Sequence, residues 1–318
     1  MDLPIHAYFQ GKIVPYSDAR FGVLTHALNY GTAVFGGMRG YWSKDEEQLF
    51  VFRPLDHFRR FLSSARLMRM EFELSPEELT AITLELLRTD GYRRDVYVRP
   101  LAFKTDEIIG VKLHGLHHEL SIVAVPFNRY VTNDTNAHVT ISSWRRVDDN
   151  AIPARGKVSG AYANSALIKS DANLSGFDEA LVLTQEGHIS EGSAMNVFMV
   201  KNGALITPPI TENILEGITR RTAIELAQAE LGLPVVERQI DRTEVYLCDE
   251  LFMTGTAAEI IAVTRVDHHQ IGLGVMGPVV SALRHLFDDA VHGRLARFRG
   301  WNMPVYADVP VSPAAGKP

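Results

Sequence analysis

Cysteine is almost absent from this chain, since Cys248 is the only one among 318 residues. A single thiol cannot form an internal disulfide, which excludes a disulfide-stapled fold and is typical of proteins in a reducing compartment. The chain also lacks an apolar run long enough to span a bilayer, and its first residues are acidic where a signal peptide would be basic. We therefore expect a cytoplasmic protein with no membrane partner.

An excess of positive charge is also missing. Lysine and arginine together number 32, aspartate and glutamate number 38, and the formal net charge is −6. Proteins that bind nucleic acid or anionic membranes by electrostatic attraction need a basic surface. We therefore expect no nucleic-acid partner.

Several motifs of catalysis and cofactor binding are absent as well, among them the Walker A, H-E-x-x-H and G-x-S-x-G patterns. Gly272 to Gly277 match G-x-G-x-x-G literally, but no strand directly precedes them, so we do not expect a dinucleotide site. His114, His117 and His118 lie close together in the sequence, but no cluster of cysteines or carboxylates completes a zinc site. We expect loop histidines there and no metal centre.

What is present is the composition of an ordinary globular protein, with 46% hydrophobic and 22% charged residues. The length allows two domains or one large domain. The polar segment VTNDTNAH separates a first half with strands and two helices from a longer, β-rich second half. We predict a small α/β domain at 1–129, a linker at 130–138 and a large, β-rich domain at 139–318.

Local signals predict where several elements begin and end. Gln10-Gly11 predicts a turn between two strands, and Asn202-Gly203 predicts a turn in a later meander. Asp56 is expected to cap one helix, and Ser75 begins the capping box of the next. Pro278 predicts the start of the last helix.

The segment around which the other candidate features can be arranged is ARGKVSGAYANSALIKS, residues 154–170. Lys157 lies among small residues just before a predicted helix from Tyr162, so a bulky group can approach its amine. An amine that is desolvated or set beside positive charge has a lowered pKa and becomes a nucleophile toward aldehydes. The alternative is a solvated surface lysine at a helix start, and features elsewhere in the chain must decide.

Three of those features suit the binding of one anionic ligand, and each has a simpler alternative. Tyr97 and Arg99 share a strand face, which suits a carboxylate, unless the arginine merely faces water at an edge. Glu191 lies among apolar residues and needs a cationic or proton-donating partner, unless it is a turn glutamate. Thr219 begins a helix after Gly217 and could seat a phosphate, unless it is an ordinary cap.

Together these features match pyridoxal phosphate. The lysine can form an imine, an arginine on a helix (Arg59 or Arg60) and the helix start at Thr219 can hold the phosphate, and Glu191 can hold a protonated ring nitrogen. Tyr162 is close enough in sequence to Lys157 to bond a ring oxygen. The sequence therefore predicts a cofactor enzyme with Lys157 as its nucleophile.

Specific motifs follow one another along the chain: GTAVFGGMR, YVRP, GKVSGAY, DEALVL, ISEGSAMN, TPPITENILEGITR and DELFMTGTAAEI. Through them the chain resembles the class IV pyridoxal-phosphate aminotransferases, and most closely the branched-chain amino acid aminotransferases. The resemblance runs from about Tyr8 to Tyr306, and YVR distinguishes this branch from its D-amino-acid and lyase relatives. It implies a fold type IV enzyme of the α/β (α+β) class, with two domains and the cofactor at their interface.

The resemblance also implies an activity and a role for each matching residue. The expected reaction moves an amino group between branched-chain L-amino acids (Leu, Ile, Val) and 2-oxoglutarate, in a homodimer or a higher oligomer. Lys157 would be the catalytic, Schiff-base lysine. The residues expected to bind the cofactor are Arg60, Lys157, Tyr162, Glu191, Ile218, Thr219 and Thr256. Those expected to bind substrate are Tyr30, Phe35, Gly37, Tyr97, Arg99, Val111, Phe127, Tyr130, Thr256 and Ala257, with Val111 serving the partner's site.

Two departures from the family's pattern leave the substrate open. Gly36 in FGGMR and Ala194-Met195 in SEGSAMN stand where the family usually has Glu and Gly-Glu. The alternatives within the fold are a transaminase of D-amino acids or (R)-amines and an aminodeoxychorismate lyase. Two alternatives from other functional classes are a nicotinamide-dependent oxidoreductase that uses GLGVMG and a non-catalytic ligand-binding or scaffold protein of this fold.

Overall fold

The structure is a computed structural model, and it describes residues 3–127 and 133–306. A first, antiparallel sheet contains the strands β1 (His6–Phe9), β2 (Lys12–Pro15), β3 (Ala33–Phe35), β4 (Met38–Ser43), β5 (Gln48–Phe52), β6 (Val96–Lys104) and β7 (His118–Pro126). The predicted Gln10-Gly11 turn joins β1 to β2, and both residues have positive φ. The turn prediction is confirmed.

Three helices belong to this part of the chain: α1 (His26–Tyr30), α2 (Pro54–Leu67) and α3 (Pro76–Asp90). Phe58 and Phe61 of α2, with Leu79 and Leu86 of α3, join a buried core with the sheet residue Val51. Because burying a large apolar side chain contributes roughly 1.5–3 kcal/mol, this core fixes α2 against the sheet. The same packing positions the arginines that α2 carries.

The predicted helix starts are partly right. Ser75 and Glu78 form the expected capping box at α3. Asp56 does not cap α2, because the helix already begins at Pro54, whose fixed φ suits a first helical position. Asp56 lies in the first turn and accepts from Arg53 Nε at 2.7 Å, so the predicted cap is wrong.

A second, mixed sheet follows. Its strands are β8 (Ala137–Arg145), β9 (Glu179–Leu183), β10 (Ile189–Gly192), β11 (Asn196–Lys201), β12 (Ala204–Thr207), β13 (Val235–Glu237), β14 (Glu250–Gly255), β15 (Glu259–Val266) and β16 (His269–Gln270). Asn202-Gly203 makes the expected turn between β11 and β12. The β8–β9, β8–β15 and β12–β13 pairs are parallel.

This part of the chain also contains three α-helices and a last strand: α4 (Tyr162–Leu174), α5 (Ile218–Leu231), α6 (Pro278–Val291) and β17 (Asn302–Pro304). The predicted helix starts near Tyr162, Thr219 and Pro278 are confirmed. Strand β17 pairs with β5 and so returns to the first sheet. The division at 1–129, 130–138 and 139–318 stays a prediction, and residues 128–132 lie outside the described residues.

Strands β3 and β4 of the first sheet contact the second part of the chain. Val34 of β3 forms an isolated β-bridge with Val158, just before α4. Arg39 of β4 donates to Glu259 of β15 at 2.7 Å. These links bring the Lys157 segment against the first sheet. Within the described residues, no helix combines the length and the apolarity needed to cross a membrane.

Candidate active site

A cavity of about 450 Å³ lies where the two sheets meet. Twelve of the predicted site residues line it: Phe35, Gly37, Arg60, Tyr97, Arg99, Lys157, Tyr162, Glu191, Ile218, Thr219, Thr256 and Ala257. They come from strands, helices and turns that are far apart in sequence. The fold therefore brings together what the motifs placed separately.

Lys157 is the central residue of the cavity. Its Nζ donates to Tyr162 Oη at 2.5 Å and lies 4.8 Å from the centre of the Phe35 ring. Burial, followed by the positive charge of Arg60, lowers the pKa of Lys157 from 10.5 to about 7. A large fraction of the amine is therefore neutral and nucleophilic near pH 7. The alternative of a solvated surface lysine does not fit this geometry.

Tyr162 presents a phenol to the same amine from the first turn of α4. Burial, with the negative charge of Glu191 as the next cause, raises the pKa of Tyr162 to about 12. The phenol therefore keeps its proton at neutral pH. The edge of the Phe35 ring packs on Tyr162 with 4.6 Å between ring centres, which restricts the phenol's orientation.

Glu191 is buried in the cavity wall, and both of its carboxylate oxygens have partners. One oxygen lies 2.9 Å from Arg146 Nη2 in an ion pair. The other accepts from the Leu215 N–H at 3.0 Å and from Asn196 Nδ2 at 3.2 Å. Burial raises the pKa of Glu191, and the Arg146 charge opposes that shift. The predicted need for a cationic partner is met by Arg146.

An anion seat lies between α2 and α5. Arg60 lines the cavity and donates from Nη1 to the Glu216 backbone oxygen at 3.0 Å, whereas the Arg59 side chain is 57% exposed. Helix α5 begins at Ile218, and Thr219 lies in its first turn and lines the cavity. The first amides of a helix have no partner within the helix, and its positive end attracts anions. The seat thus combines a guanidinium with a helix N-terminus.

Gly217 allows this seat to form. A β-carbon at position 217 would lie 2.1 Å from Asn196 Oδ1, so a larger residue would push α5 away from the strand that carries Asn196. Asn196 in turn donates to Glu191 and to the Leu215 backbone oxygen. The glycine in EGITR is therefore required by close packing at the cavity wall.

Tyr97 and Arg99 share one face of β6, as predicted from strand alternation. Arg99 Nη2 donates to Tyr97 Oη at 3.3 Å, and its guanidinium lies 4.7 Å from the centre of the Phe35 ring. A β-carbon at Gly37 would lie 1.9 Å from Tyr97 Oη, so the glycine admits the phenol. This corner offers both a hydrogen-bonding pair and an apolar ring to a ligand.

Three predicted substrate residues in the described part of the chain do not line the cavity, namely Tyr30, Phe127 and Val111. The fourth, Tyr130, lies outside the described residues. Phe127 packs against Tyr97 with 5.1 Å between ring centres. Tyr30 accepts a hydrogen bond from the Gly110 N–H at 3.0 Å, and Val111 is 76% exposed. Their roles stay predictions.

A family model for amino-transferase class IV matches residues 33–266. The chain belongs to this family. A probable branched-chain-amino-acid aminotransferase of Aquifex aeolicus is 46% identical over 300 residues, which cover 94% of this chain and 96% of that protein. Sequence similarity thus extends beyond the matched family region.

Solved structures of class IV aminotransferases have the same fold. The branched-chain amino acid aminotransferase of Thermobaculum terrenum in its PLP form is 39% identical, has a TM-score of 0.91, and the match covers 96% of this chain and 99% of that one. The branched-chain aminotransferase of Thermoproteus uzoniensis with norvaline is 37% identical with a TM-score of 0.90, covering 95% and 100%. This aminotransferase therefore has the fold type IV architecture.

The cavity of this class IV aminotransferase fits pyridoxal phosphate. Its polar groups are the Lys157 amine, the protonated Tyr162 phenol, the buried Glu191 carboxylate and, at the Arg60 end, the anion seat. Thr254 Oγ1, on the cavity wall, is buried without a hydrogen-bond partner among the described residues. A polar atom left unpaired beside a cavity is typical of a site that a polar ligand completes.

Sequence reasoning missed several residues of the aminotransferase's site. Arg146 and Asn196 hold Glu191, and Ser64 contacts the Lys157 backbone. The buried glutamate did signal a missing cation, but nothing in the local sequence identified Arg146 as that cation. The departures noted from the family's pattern also lie at or near the site: Ala194 and Met195 line the cavity, and Gly36 is packed against Pro100.

Proposed function

We propose that this chain is a pyridoxal-phosphate-dependent transaminase that moves the amino group between Leu, Ile or Val and 2-oxoglutarate. The observation that carries the proposal is the Lys157 amine, which has a pKa of about 7 and is hydrogen-bonded to Tyr162 in a cavity that also holds the Glu191–Arg146 pair. The similarity to branched-chain aminotransferases over nearly the whole chain supports the substrate class.

Residues of the cavity would hold the cofactor at its pyridine nitrogen, its phenolic oxygen and its phosphate. Glu191, paired with Arg146, would pair with the pyridine nitrogen. Tyr162 would bond the phenolic oxygen. When bound, pyridoxal phosphate supplies an aldehyde that condenses with amines and a ring that withdraws electrons from the substrate's Cα. The residues that would bind the phosphate are Arg60, Ile218, Thr219 and Thr256.

Proton transfer falls to Lys157. Its Nζ, with a pKa near the working pH, can accept the proton from the substrate's Cα and release it again during one turnover. Tyr162 keeps its own proton and holds the amine through the 2.5 Å hydrogen bond.

The pocket must accept both an apolar and an acidic substrate side chain. We propose that Arg99 receives the side-chain carboxylate of glutamate, and its position beside Tyr97 and Phe35 supports this. Arg99 would be assisted by Tyr30 and Tyr130. The apolar wall of the pocket would be formed by Phe35, Gly37 and Phe127. The α-carboxylate of the substrate would be bound by Tyr97, Thr256 and Ala257.

A substrate panel tests the proposal. Purified protein is assayed with L-leucine, L-valine, a D-amino acid and an (R)-amine, each against 2-oxoglutarate. We expect turnover of the two L-amino acids and loss of at least ~10³-fold in kcat in Lys157→Ala. Turnover of only the D-amino acid or the (R)-amine would contradict the proposed substrate, and unchanged activity in Lys157→Ala would contradict the chemistry.

We also propose a homodimer located in the cytoplasm. Exposed apolar residues around the start of α1 and on the loop after β6 support a subunit interface: Val23, Leu24, Leu28, Ile109 and Val111. Val111 would serve the partner's cavity. Cys248, a buried free thiol, fits a reducing compartment. Light scattering of the purified protein is expected to give twice the chain mass, and a monomer at micromolar concentration would contradict the dimer.

A further inference from the structure

Ser64 is a fully buried serine on α2, one turn after Arg60. Its hydroxyl donates to the Arg60 backbone oxygen at 2.9 Å, a bond that helical serines commonly make to the residue four positions earlier. The same hydroxyl accepts from the backbone N–H of Lys157 at 3.1 Å. One side chain therefore joins the peptide groups of two cavity residues that are far apart in sequence.

The Lys157 peptide is held on its other side by the first sheet. Its carbonyl oxygen accepts from the Phe35 N–H at 3.0 Å, and the next residue, Val158, pairs with Val34. Strand β3 thus fixes the carbonyl and α2 fixes the N–H. With the backbone of this residue held on both sides, the position of the amine depends on the rotamers of the lysine side chain.

Helix α2 also contributes Arg60 to the anion seat. Arg60 Nη1 donates to the Glu216 backbone oxygen, directly before the first residues of α5. Helix α2 therefore touches the seat through the Arg60 side chain and the lysine segment through Ser64. Both contacts lie within a little more than one helical turn, which is a short and stiff path.

We propose that Ser64 is a positioning residue that fixes the separation between the Lys157 amine and the anion seat. This rests on the proposed function, in which the seat holds the cofactor's phosphate. The hydrogen bond from the Lys157 N–H to Ser64 Oγ then ties the lysine backbone to the helix that carries Arg60, and so contributes to the distance from that phosphate to the amine. A misplacement of about 1 Å at such a site is enough to slow a reaction substantially.

Removing the hydroxyl has two expected effects. In Ser64→Ala the Lys157 N–H loses its partner, and a hydrogen bond of this kind is worth about three- to tenfold in an equilibrium constant. We expect the dissociation constant for pyridoxal phosphate to rise by about that factor. The loosened segment also admits water to the amine, so the pH midpoint of amine reactivity moves upward from about 7.

Ser63→Ala is the matched control. Ser63 is the preceding residue on the same helix, and its hydroxyl makes the same type of bond to the Arg59 backbone oxygen at 2.9 Å, but it is exposed. Both variants lose one hydroxyl and one bond to a helix carbonyl. They differ in burial and in the contact with Lys157, so the readouts that report on the Lys157 amine, rather than stability, distinguish that contact.

The experiment uses the full-length protein with and without cofactor. Pyridoxal phosphate binding is titrated, KM and kcat are measured separately, and acetic anhydride labelling of the Lys157 peptide is followed against pH by mass spectrometry. We expect Ser64→Ala to weaken cofactor binding, lower kcat with little change in KM, and raise the labelling midpoint. Ser63→Ala is expected to match wild type within about twofold.

Equal cofactor affinity and equal labelling midpoints in the two variants would overturn the proposal, even if Ser64→Ala unfolds more easily. The labelling comparison does not depend on transamination. A wild-type protein that neither binds pyridoxal phosphate nor transaminates would instead overturn the proposed function, while a shifted midpoint in Ser64→Ala would still support the role of Ser64 in placing the amine.

Discussion

Burial of the Lys157 amine lowers its pKa and at the same time disfavours the folded state while the amine is protonated. The pKa of Lys157 is about 7 in the folded chain and 10.5 in an unfolded chain. Between these two values the unfolded state binds more protons than the folded state. The free energy of unfolding therefore rises with pH in this window, by at most about 1.4 kcal/mol per pH unit.

Replacement of this lysine by methionine should remove that pH dependence. We expect Lys157→Met to be more stable than wild type below pH 7, with the difference shrinking as the pH approaches 10.5. The measurement is urea unfolding of the cofactor-free chain at pH 6, 8 and 10. Lys12→Met, at an exposed lysine of β2, is the control. A constant difference across this pH range would show that Lys157 is not titrating as described.

Arg146 is the cation that pairs with the buried carboxylate of Glu191, and its charge opposes the rise that burial causes in the pKa of Glu191. Removal of one partner of a buried ion pair leaves the other charge uncompensated, which costs about 3–5 kcal/mol. We expect Arg146→Met to lose stability of that order and to bind pyridoxal phosphate more weakly, because the pKa of Glu191 would rise further. Urea unfolding and cofactor titration measure the two effects.

Arg145 supplies the control for this change. It is the adjacent residue, it is exposed, and Arg145→Met should alter stability by less than about 0.5 kcal/mol. Adding Glu191→Gln to Arg146→Met should recover part of the lost stability, since the uncompensated charge is then gone. If the double variant were no more stable than Arg146→Met, the loss would come from packing rather than from charge.

At the scale of elements, Arg53 holds α2 and α5 together. It lies directly before α2 with a φ of 48°, and its guanidinium reaches Glu225 at 2.9 Å and Thr222 at 3.2 Å on α5. The same group lies 4.6 Å from the centre of the Trp301 ring. Because the anion seat is built from these two helices, we expect the Arg53 contacts to influence the seat although Arg53 does not line the cavity.

Arg53→Met should therefore affect cofactor binding from a distance. We expect the dissociation constant of pyridoxal phosphate to rise about tenfold, because a buried, multiply bonded guanidinium contributes roughly 1.5–3 kcal/mol to the helix pairing. Arg59→Met, at an exposed arginine of the same helix, should change it by less than about twofold. Equal dissociation constants in the two variants would show that the Arg53 contacts have no influence on cofactor binding at the anion seat.

The elements that sequence predicted correctly are those with local causes. The capping box at Ser75, the turn at Asn202-Gly203 and the helix start at Pro278 each depend on a few neighbouring residues. The cap assigned to Asp56 failed because the helix begins two residues earlier, at a proline, and an arginine engages the carboxylate. Here two local signals competed, and the fixed φ of proline determined the boundary.

The contacts that sequence could not predict join residues far apart in the chain. Arg146 reaches Glu191 from another part of the second sheet, and Ser64 reaches Lys157 across 93 positions. Strand β17 pairs with β5, although some 250 residues separate them. No periodicity or motif encodes these pairings, because they depend on which distant segments the fold brings together, within each sheet and between α2 and the Lys157 segment. The motifs identified the cavity's residues, and the fold supplied the partners that tune them.

At the scale of the whole molecule, the loop tip at Ile109-Gly110-Val111 is exposed yet firmly held. His26 Nε2 lies 2.8 Å from the Gly110 carbonyl oxygen, and the Gly110 N–H donates to Tyr30 Oη at 3.0 Å. The His26 and Tyr30 rings, one turn apart on α1, are 4.7 Å between centres. Gly110 has a φ of 147°, a conformation that favours glycine. The hydrogen bonds of the Gly110 backbone thus fix the loop tip, and the apolar side chains of Ile109 and Val111 on either side are exposed in the single chain.

A tip of this kind suits presentation to a second copy of the chain, and mixed dimers can test it. In the proposed homodimer, Val111→Ser is expected to lower activity without dissociating the subunits, and Lys157→Ala is expected to be inactive alone. If Val111 completes the partner's cavity, a mixed dimer of the two variants contains one site with both Lys157 and Val111 intact. An equal mixture should then regain about a quarter of wild-type activity, as random pairing dictates.

The opposite arrangement predicts a different result from the same mixture. If Val111 acts on its own subunit's cavity, every site that keeps Lys157 also carries the Val111→Ser change, and mixing restores nothing. Leu273→Ser, at an exposed apolar residue on the loop before α6, should behave as wild type alone and in mixtures. Recovery on mixing therefore requires that the site be completed across the interface, because neither variant chain holds both residues.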